Sequence, residues 1–434
     1  MADGRTVDRD PRAMADVPAA LFEALAAFAR AAYPRYVDDL RALVEIESGT
    51  GDVEGSAAIA RLLGQRLAAL GAAVETHANA RGTHVVGRLA GRGAGRYVWL
   101  MHTDTVYPRG SLARQPFRVD GSGRAFGPGA GDSKASAAFA LFAAEALVAV
   151  AGSPFGELAL YFDAEEEGGS DDEVALVEGL ARTADVAMVL DTARPAWGIV
   201  ARRKGLAGYR LDVRGLAGHA GNAAHASASA TLELVHQLHA IASLASPPPG
   251  DPRDFAPEAL AARGVVDRGQ LVPDVTVNVG AIGSSNDRVN VVTDHAWAEI
   301  EVRAWTRADL ARVDAAIRAR AARVTVPGTA ATVTAGLAYP PLEMTGRAAE
   351  VVARYKAIVR AGFGAEVAEW SAGGVTVGNF TAAFAPTVDA LAVEMRHEHD
   401  LFHEHADLST FGPRLVALAA LVAAEDAALR GGDR

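Results

Sequence analysis

The stretch YVWLMHTDTVYPRG, residues 97–110, decides how this chain is read. Its apolar run, Tyr97–Met101, has the length and composition of a buried strand. His102 and Asp104 follow where the run stops, with one residue between them. On extended chain, residues i and i+2 face the same side. Asp104 is therefore placed to reach a ring nitrogen of His102 and fix its tautomer, as carboxylates do behind metal-binding histidines. Taken alone, the same pair is also readable as a structural strand end.

Working outward, helix and strand patterns alternate. Strand-like runs occupy 73–75, 84–89, 97–101, 157–162 and 186–190, and helical patterns occupy 55–70, 133–150 and 172–180. That alternation predicts an α/β domain with a largely parallel sheet, whose carboxyl-end loops carry the ligands. Residues 17–46 have helical spacing, and Pro34 is expected to break them into two helices. The texture changes near Lys204. Strands are expected at 206–213, 275–282, 296–305 and 331–337, with helices at 228–244 and 308–324. This block looks like a smaller domain inserted into the first, giving boundaries of 15–204, 205–338 and 339–434. SPPPGDPRDFAPE, from Ser246 onward, reads as a loop.

Composition narrows the function. The chain has 434 residues, 50% hydrophobic and 22% charged, which suits a folded protein of two or three domains. A net charge of −11 argues against nucleic-acid binding. With no cysteine, there can be no disulfide, thiolate nucleophile or Cys-ligated zinc, so any metal must be held by His, Asp and Glu. The polar opening MADGRTVDRDPRAMADVPAA lacks a secretory apolar core; its first dozen or so residues read as a disordered tail, with Met14 as an alternative start. The most apolar stretch, 135–152, contains Glu145 and reads as a buried helix, not a membrane span. A cytoplasmic protein with no membrane partner is expected.

Four further clusters carry chemistry. In GPGAGDSKAS, Asp132 precedes a long helix and is either a ligand or an N-cap. The strand 157–162 runs into Glu165, Glu166 and Glu167. These are either a solvated charge run or a metal ligand beside a proton acceptor. The strand 186–190 ends at Asp191. MRHEHDLFHEHADLS packs His397, His399, His403 and His405 into nine residues, a metal-like density or an incidental turn. Each cluster is ambiguous alone. Together, successive strand ends bearing metal-competent residues, with a histidine cluster near the C-terminus, point to a metal centre. Zinc suits these donors, as do manganese and cobalt.

From about Tyr36 to Leu418 the pattern resembles metallopeptidase family 20, most closely its glutamate carboxypeptidase branch. The block from His102 through RQPFRVDGSGRAFGPGAGDSK carries the likeness most clearly. The resemblance implies a zinc-exopeptidase-like catalytic domain with a mostly parallel mixed sheet, plus an inserted α+β, ferredoxin-like lid and dimerisation domain. It implies two divalent ions, with His102 and Asp191 on one, Glu167 on the other, and Asp132 bridging. Asp104 would orient His102, and Glu166 would be the general base. His399 would be the last ligand, with His403 the alternative. In RGLAGHAGNAAH, His219 would stabilise an oxyanion in the partner's site of a homodimer. Asn290 and Arg303 would hold the substrate, Arg303 through a carboxylate. Two departures stand out. Ala135 and Ser136 replace two glycines, and Val377, in GGVTVGN, stands where the family has an Asp. The implied activity is hydrolysis of an amide or peptide bond, releasing a C-terminal amino acid from a small peptide or N-acyl amino acid. Rival readings are a small-amide aminoacylase, an amide-forming biosynthetic enzyme, or a non-catalytic binding protein on the same fold.

Overall fold

A computed structural model of the chain describes residues 17–431, except 170, 247–265, 268–269 and 272–273. The expected N-terminal tail, and the Pro-rich loop beyond Ser246, lie outside the described residues. The chain forms two compact units. The first comprises Met1–Ala201, Met344–Trp370 and Thr376–Arg434, and the second Arg202–Glu343 and Ser371–Val375.

The first unit is built on an eight-stranded sheet. Its order is Ala73–Ala78, Thr83–Ala90, Glu157–Asp163, Arg96–His102, Val186–Val189, Thr387–Asp389, Ile199–Arg203 and Glu369–Ala372. The four central strands from Glu157–Asp163 to Thr387–Asp389 are mutually parallel. Thr83–Ala90 runs antiparallel to Glu157–Asp163, and Ala73–Ala78 antiparallel to Thr83–Ala90. The sequence shows why. Val186–Val189 is buried throughout and Tyr97–His102 likewise, as strands covered on both faces must be. Ala73–Ala78 is largely exposed, as an edge strand tolerates. Register then places the functional ends level: His102 lies opposite Asp163, and Leu100 opposite Val189.

Helices Ala19–Val44, Ala135–Ala149, Gly346–Phe363 and Phe411–Arg430 pack together around one core. Phe411 stacks on Tyr36 at 4.1 Å between ring centroids and meets Phe139 and Phe142 edge-on. Among the described residues one helix, Leu408–Arg430, is long and apolar enough to cross a membrane, yet most of it is buried inside the unit. The apolar helix Ala135–Ala149 is buried along nearly its whole length, and its Glu145 reaches Arg35 at 2.9 Å.

Pro34 does not break the first helix, which runs unbroken from Ala19 to Val44. Both Pro34 and Arg30, whose carbonyl loses its helical partner, face solvent, where water can take over that bond. Buried Ala29, Ala32 and Tyr36 meanwhile hold both halves against the core.

The second unit is a four-stranded antiparallel sheet ordered Val275–Ser284, His295–Ala304, Gly205–Arg214 and Ala330–Tyr339. Helices Ala230–Ala242 and Arg307–Ala321 cover one face, completing a β-α-β-β-α-β ferredoxin-like order. Period-two burial along His295–Ala304 shows the cause: Ala296, Ala298, Ile300 and Val302 point into this core.

Candidate metal centre

Three adjacent parallel strands of the first unit end at one edge and deliver most of the centre. His102 closes Arg96–His102, Glu166 and Glu167 follow Glu157–Asp163, and Asp191 follows Val186–Val189. This is the carboxyl edge, where α/β sheets place ligands. Asp132 arrives from an irregular turn, residues 130–134, and not from a helix cap. Its φ/ψ of −117°/95° is extended, and the regular helix begins only at Ala135. The sequence offered the N-cap as one reading. The structure instead turns the Asp132 side chain inward.

His102 Nε2 lies 3.0 Å from Asp132 Oδ1 and 3.1 Å from Asp191 Oδ1. His399 Nε2 lies 3.5 Å from Asp132 Oδ2 and 3.4 Å from Glu167 Oε2. Two groups of potential ligands result, His102–Asp132–Asp191 and Asp132–Glu167–His399. Asp132 belongs to both, one oxygen facing each histidine. Donor atoms on a tetrahedral zinc with bonds of 2.0–2.1 Å stand about 3.4 Å apart. The spacings seen here bracket that edge, and imidazole with carboxylate is the donor set that suits zinc. The residues thus fit two ions sharing one carboxylate.

The charges agree. Burial would lower the pKa of His102, yet Asp191, Asp104 and Asp132 hold it well above the usual imidazole value. His399 is pushed up to about 9, chiefly by its hydrogen bond to Asp132. Burial lifts the Glu167 carboxyl to about 7. Glu166 belongs to neither ligand group. Burial drives its carboxyl well above the usual range; His102 opposes this, and Asp191, Glu167 and Asp104 add to it. A crowd of buried carboxylates around two histidines is what a cation site looks like without its cations.

Asp104 ties the edge together. Oδ1 lies 3.3 Å from His102 Nδ1, which the Asp104 backbone carbonyl approaches more closely, at 3.2 Å, and Oδ1 accepts from the Glu166 amide at 3.1 Å. Oδ2 accepts from the Glu167 amide at 3.2 Å and from the Thr50 hydroxyl at 2.7 Å. Asp104 therefore sets the His102 ring through both its carbonyl and its carboxylate, and the carboxylate holds the backbone of both glutamates.

Glu165, the first acid of the triplet, is neither solvated nor at the ligand edge. It is fully buried, with Oε2 3.0 Å from His84 Nε2 and Oε1 2.9 Å from Arg81. His84 Nδ1 lies 3.1 Å from Asp163. Burial alone would lower the His84 pKa, but the two carboxylates raise it. Glu404 is also buried. It accepts from the Tyr107 hydroxyl at 2.5 Å and from the amides of Gly131 and Asp132 at 3.2 and 3.3 Å, which pins the turn that carries Asp132. Thr50, His84 and Tyr107 escaped the sequence reading because each sits in an ordinary local pattern. Only the fold brings Thr50 to Asp104, Tyr107 to Glu404 and His84 to Glu165.

His403 is not at this edge. Its side chain is 70% exposed and pairs with Asp400 at 2.8 Å. His219, Asn290 and Arg303 lie in the second unit. His219 is exposed on the two-residue strand Gly218–His219, paired with Val291–Val292, and the Ala220 amide donates to the Asn290 carbonyl at 2.9 Å. The Arg303 Nε and Nη2 grip Glu301 at 2.7 and 3.2 Å, while Nη1 donates to the Gly373 carbonyl at 2.9 Å. Its two-pronged face is thus occupied by its own strand neighbour.

Comparison with known proteins follows the same line. Residues 98–424 match peptidase family M20/M25/M40. Carboxypeptidase G2 of a Pseudomonas species is 34% identical over 190 residues, covering 43% of this chain and 46% of that protein. Succinyl-diaminopimelate desuccinylase of Bordetella pertussis is 36% identical over 168 residues, covering 36% of this chain and 44% of that protein. The aligned region thus spans less than half the length of either relative. Among solved structures, aminopeptidase PepT from Bacillus cereus superposes with a TM-score of 0.68 at 20% identity, covering 90% of this chain and 98% of that one. The M20 family metallo-carboxypeptidase Sso-CP2 from Sulfolobus solfataricus gives 0.67 at 14% identity, covering 90% and 99%. These structures share the fold. With the family match running through both units, and the gathered histidines and carboxylates at the sheet edge, this chain belongs to peptidase family M20/M25/M40.

Proposed function

We propose that the chain is a two-zinc hydrolase that cleaves an amide or peptide bond, releasing a C-terminal amino acid from a small peptide or N-acyl amino acid. The observation that carries this is the pair of ligand groups sharing Asp132, with Glu166, next in sequence to the ligand Glu167 and held through its amide by Asp104, belonging to neither. His102 and Asp191 would hold one ion, Glu167 and His399 the other, and Asp132 both. Bound there, the ions supply Lewis acidity, lowering the pKa of water and polarising a carbonyl. Glu166 takes a proton from the attacking water as the new C–O bond forms. It returns that proton to the departing nitrogen as the C–N bond breaks. Asp104 holds His102 and the Glu166 backbone in place throughout.

The printed names of the two relatives, a carboxypeptidase and a desuccinylase, put both peptides and N-acyl amino acids in the test panel. We also propose a cytoplasmic homodimer in which the partner subunit's His219 serves the site. Its support is the exposure of His219 and of the apolar Leu232 and Val235 on the second unit. Substrate contact by Asn290 and Arg303 belongs to the same proposal, and for Arg303 it requires Glu301 to let go.

The deciding experiment is Glu166→Gln, assayed on that panel with metal content read by elemental analysis. Two zinc equivalents are expected to remain, while turnover falls at least about 100-fold. Activity within tenfold of wild type removes Glu166 from the role. Two bound ions with no hydrolysis of any panel member by the wild type favours a binding protein or an amide-forming enzyme.

A further inference from the structure

The loop that brings His399 to the centre carries three more histidines for which the proposed reaction has no use. His397 and His399 both hold left-handed backbone, at φ 60° and 64°, a conformation rare outside glycine. The bend sends His399 to Asp132 and Glu167 and leaves the His397 ring near those of both His403 and His405. His397 lies 6.1 Å from His403 and 5.8 Å from His405, centroid to centroid. Two of these rings are already oriented. His403 Nδ1 faces the Asp400 carboxylate at 2.8 Å, and His405 Nδ1 faces the His403 carbonyl at 2.8 Å. When Nδ1–H donates to an oxygen, the lone pair stays on Nε2, the tautomer found in metal-bound histidines backed by a carboxylate or carbonyl. His405 is fixed further by Phe126, 5.2 Å away. His397 and His403 are exposed and free to adjust.

We propose that His397, His403 and His405 form a further divalent-cation site, through which excess zinc restrains the loop that carries His399. Two imidazoles on one tetrahedral zinc have ring centroids on the order of 5 Å apart. The His397 ring needs to close on each of the other two by only about 1 Å, which the exposed His397 and His403 side chains can supply. The site is looser than the two groups around Asp132, whose donor atoms lie within 4.8 Å of one another. It therefore fills last, at higher free zinc. An ion there ties His397 to His403 and His405 and clamps the segment between them, including His399. The consequence for activity rests on the proposed hydrolase reading; the binding site does not.

The test is equilibrium dialysis of the full chain against rising zinc, with bound metal counted by elemental analysis. The double variant His397→Asn/His403→Asn runs alongside. Both positions are exposed, and neither belongs to the proposed catalytic machinery. The wild type is expected to bind one equivalent more than the variant, the extra one weakly. Equal numbers in the two proteins overturn the site. The difference between proteins is read whether the tight sites hold two ions, one or none, so failure of the two-metal reading is seen separately. In the hydrolysis assay, excess zinc is expected to inhibit the wild type at least threefold more strongly than the variant. Equal inhibition with a difference in binding overturns the restraint on the loop.

Discussion

Asp104→Asn tests the orienting carboxylate without changing the size of the side chain. All four groups around Asp104 are donors: the His102 ring and the Glu166 amide on Oδ1, the Glu167 amide and the Thr50 hydroxyl on Oδ2. An asparagine offers one oxygen and one NH2, so whichever way it lies, one pair of donors meets a donor. The milder choice puts the NH2 toward Thr50, whose hydroxyl can rotate and accept. The Glu167 amide then loses its partner, and His102 loses the negative charge behind it. A lost hydrogen bond to a charged group costs about 1.5–3 kcal/mol. Felt wholly at the metal, this is a loss of roughly 10- to 100-fold in zinc affinity, the range usual when the carboxylate behind a metal histidine is removed. Zinc affinity would be measured by competition with a chelator of known strength, and folding by thermal denaturation with saturating zinc. A variant whose zinc affinity and turnover both stay within twofold of wild type refutes the reasoning.

Other consequences can be checked with little more material. In the ion-free protein His399 titrates near 9 and Glu167 near 7, both raised, so at pH 7 an arriving zinc ion must displace protons from them. Zinc affinity is expected to rise as pH climbs from 6 to 9; calorimetry in buffers of differing ionisation enthalpy should show net proton release, and a pH-independent affinity contradicts it. His399→Ala should lose one of the two tight equivalents while His403→Ala keeps both; the opposite pattern hands the role to His403. Pro34→Ala restores an amide donor in the middle of an unbroken helix and should stabilise the protein by about 1–3 kcal/mol in chemical denaturation; no gain would mean the ring is needed where it is. Phe411→Ala removes the ring stacked on Tyr36 and edge-packed on Phe139 and Phe142, and should destabilise by about 3–5 kcal/mol in the same measurement.

The sheet edge was legible because parallel strands buried on both faces read as uninterrupted apolar runs, and the polar residue ending each run is the one delivered to the site. Tyr97–Met101 into His102 and Val186–Val189 into Asp191 both behave this way. The second unit was legible for the complementary reason: strands covered on one face alternate, as Ala296 to Val302 do. What the sequence concealed depends on distance along the chain. Glu165 reads as one of three equal acids, and only His84, Asp163 and Arg81, brought beside it by the sheet, bury it away from its neighbours. Pro34 was misjudged because local propensity says nothing of the packing on either side of it. Asp132 is ambiguous locally because the sequence of a cap and of an inward-facing ligand is the same. His102 and His399, both far from it along the chain, decide between them.

The shared position of Asp132 bears on how the fold is held together. The side chains converging there come from near the beginning, the middle and the far end of the chain: His102, Glu167, Asp191 and His399. Ions gripped by all of them act as cross-links over very long loops, a part that disulfides play elsewhere and that a chain without cysteine cannot give to sulfur. Because binding to the native state alone adds RT ln(1 + [L]/Kd), resistance to heat and to proteases should track free zinc. Chelation would then do more than silence the site: it would unfasten the C-terminal loop from the sheet.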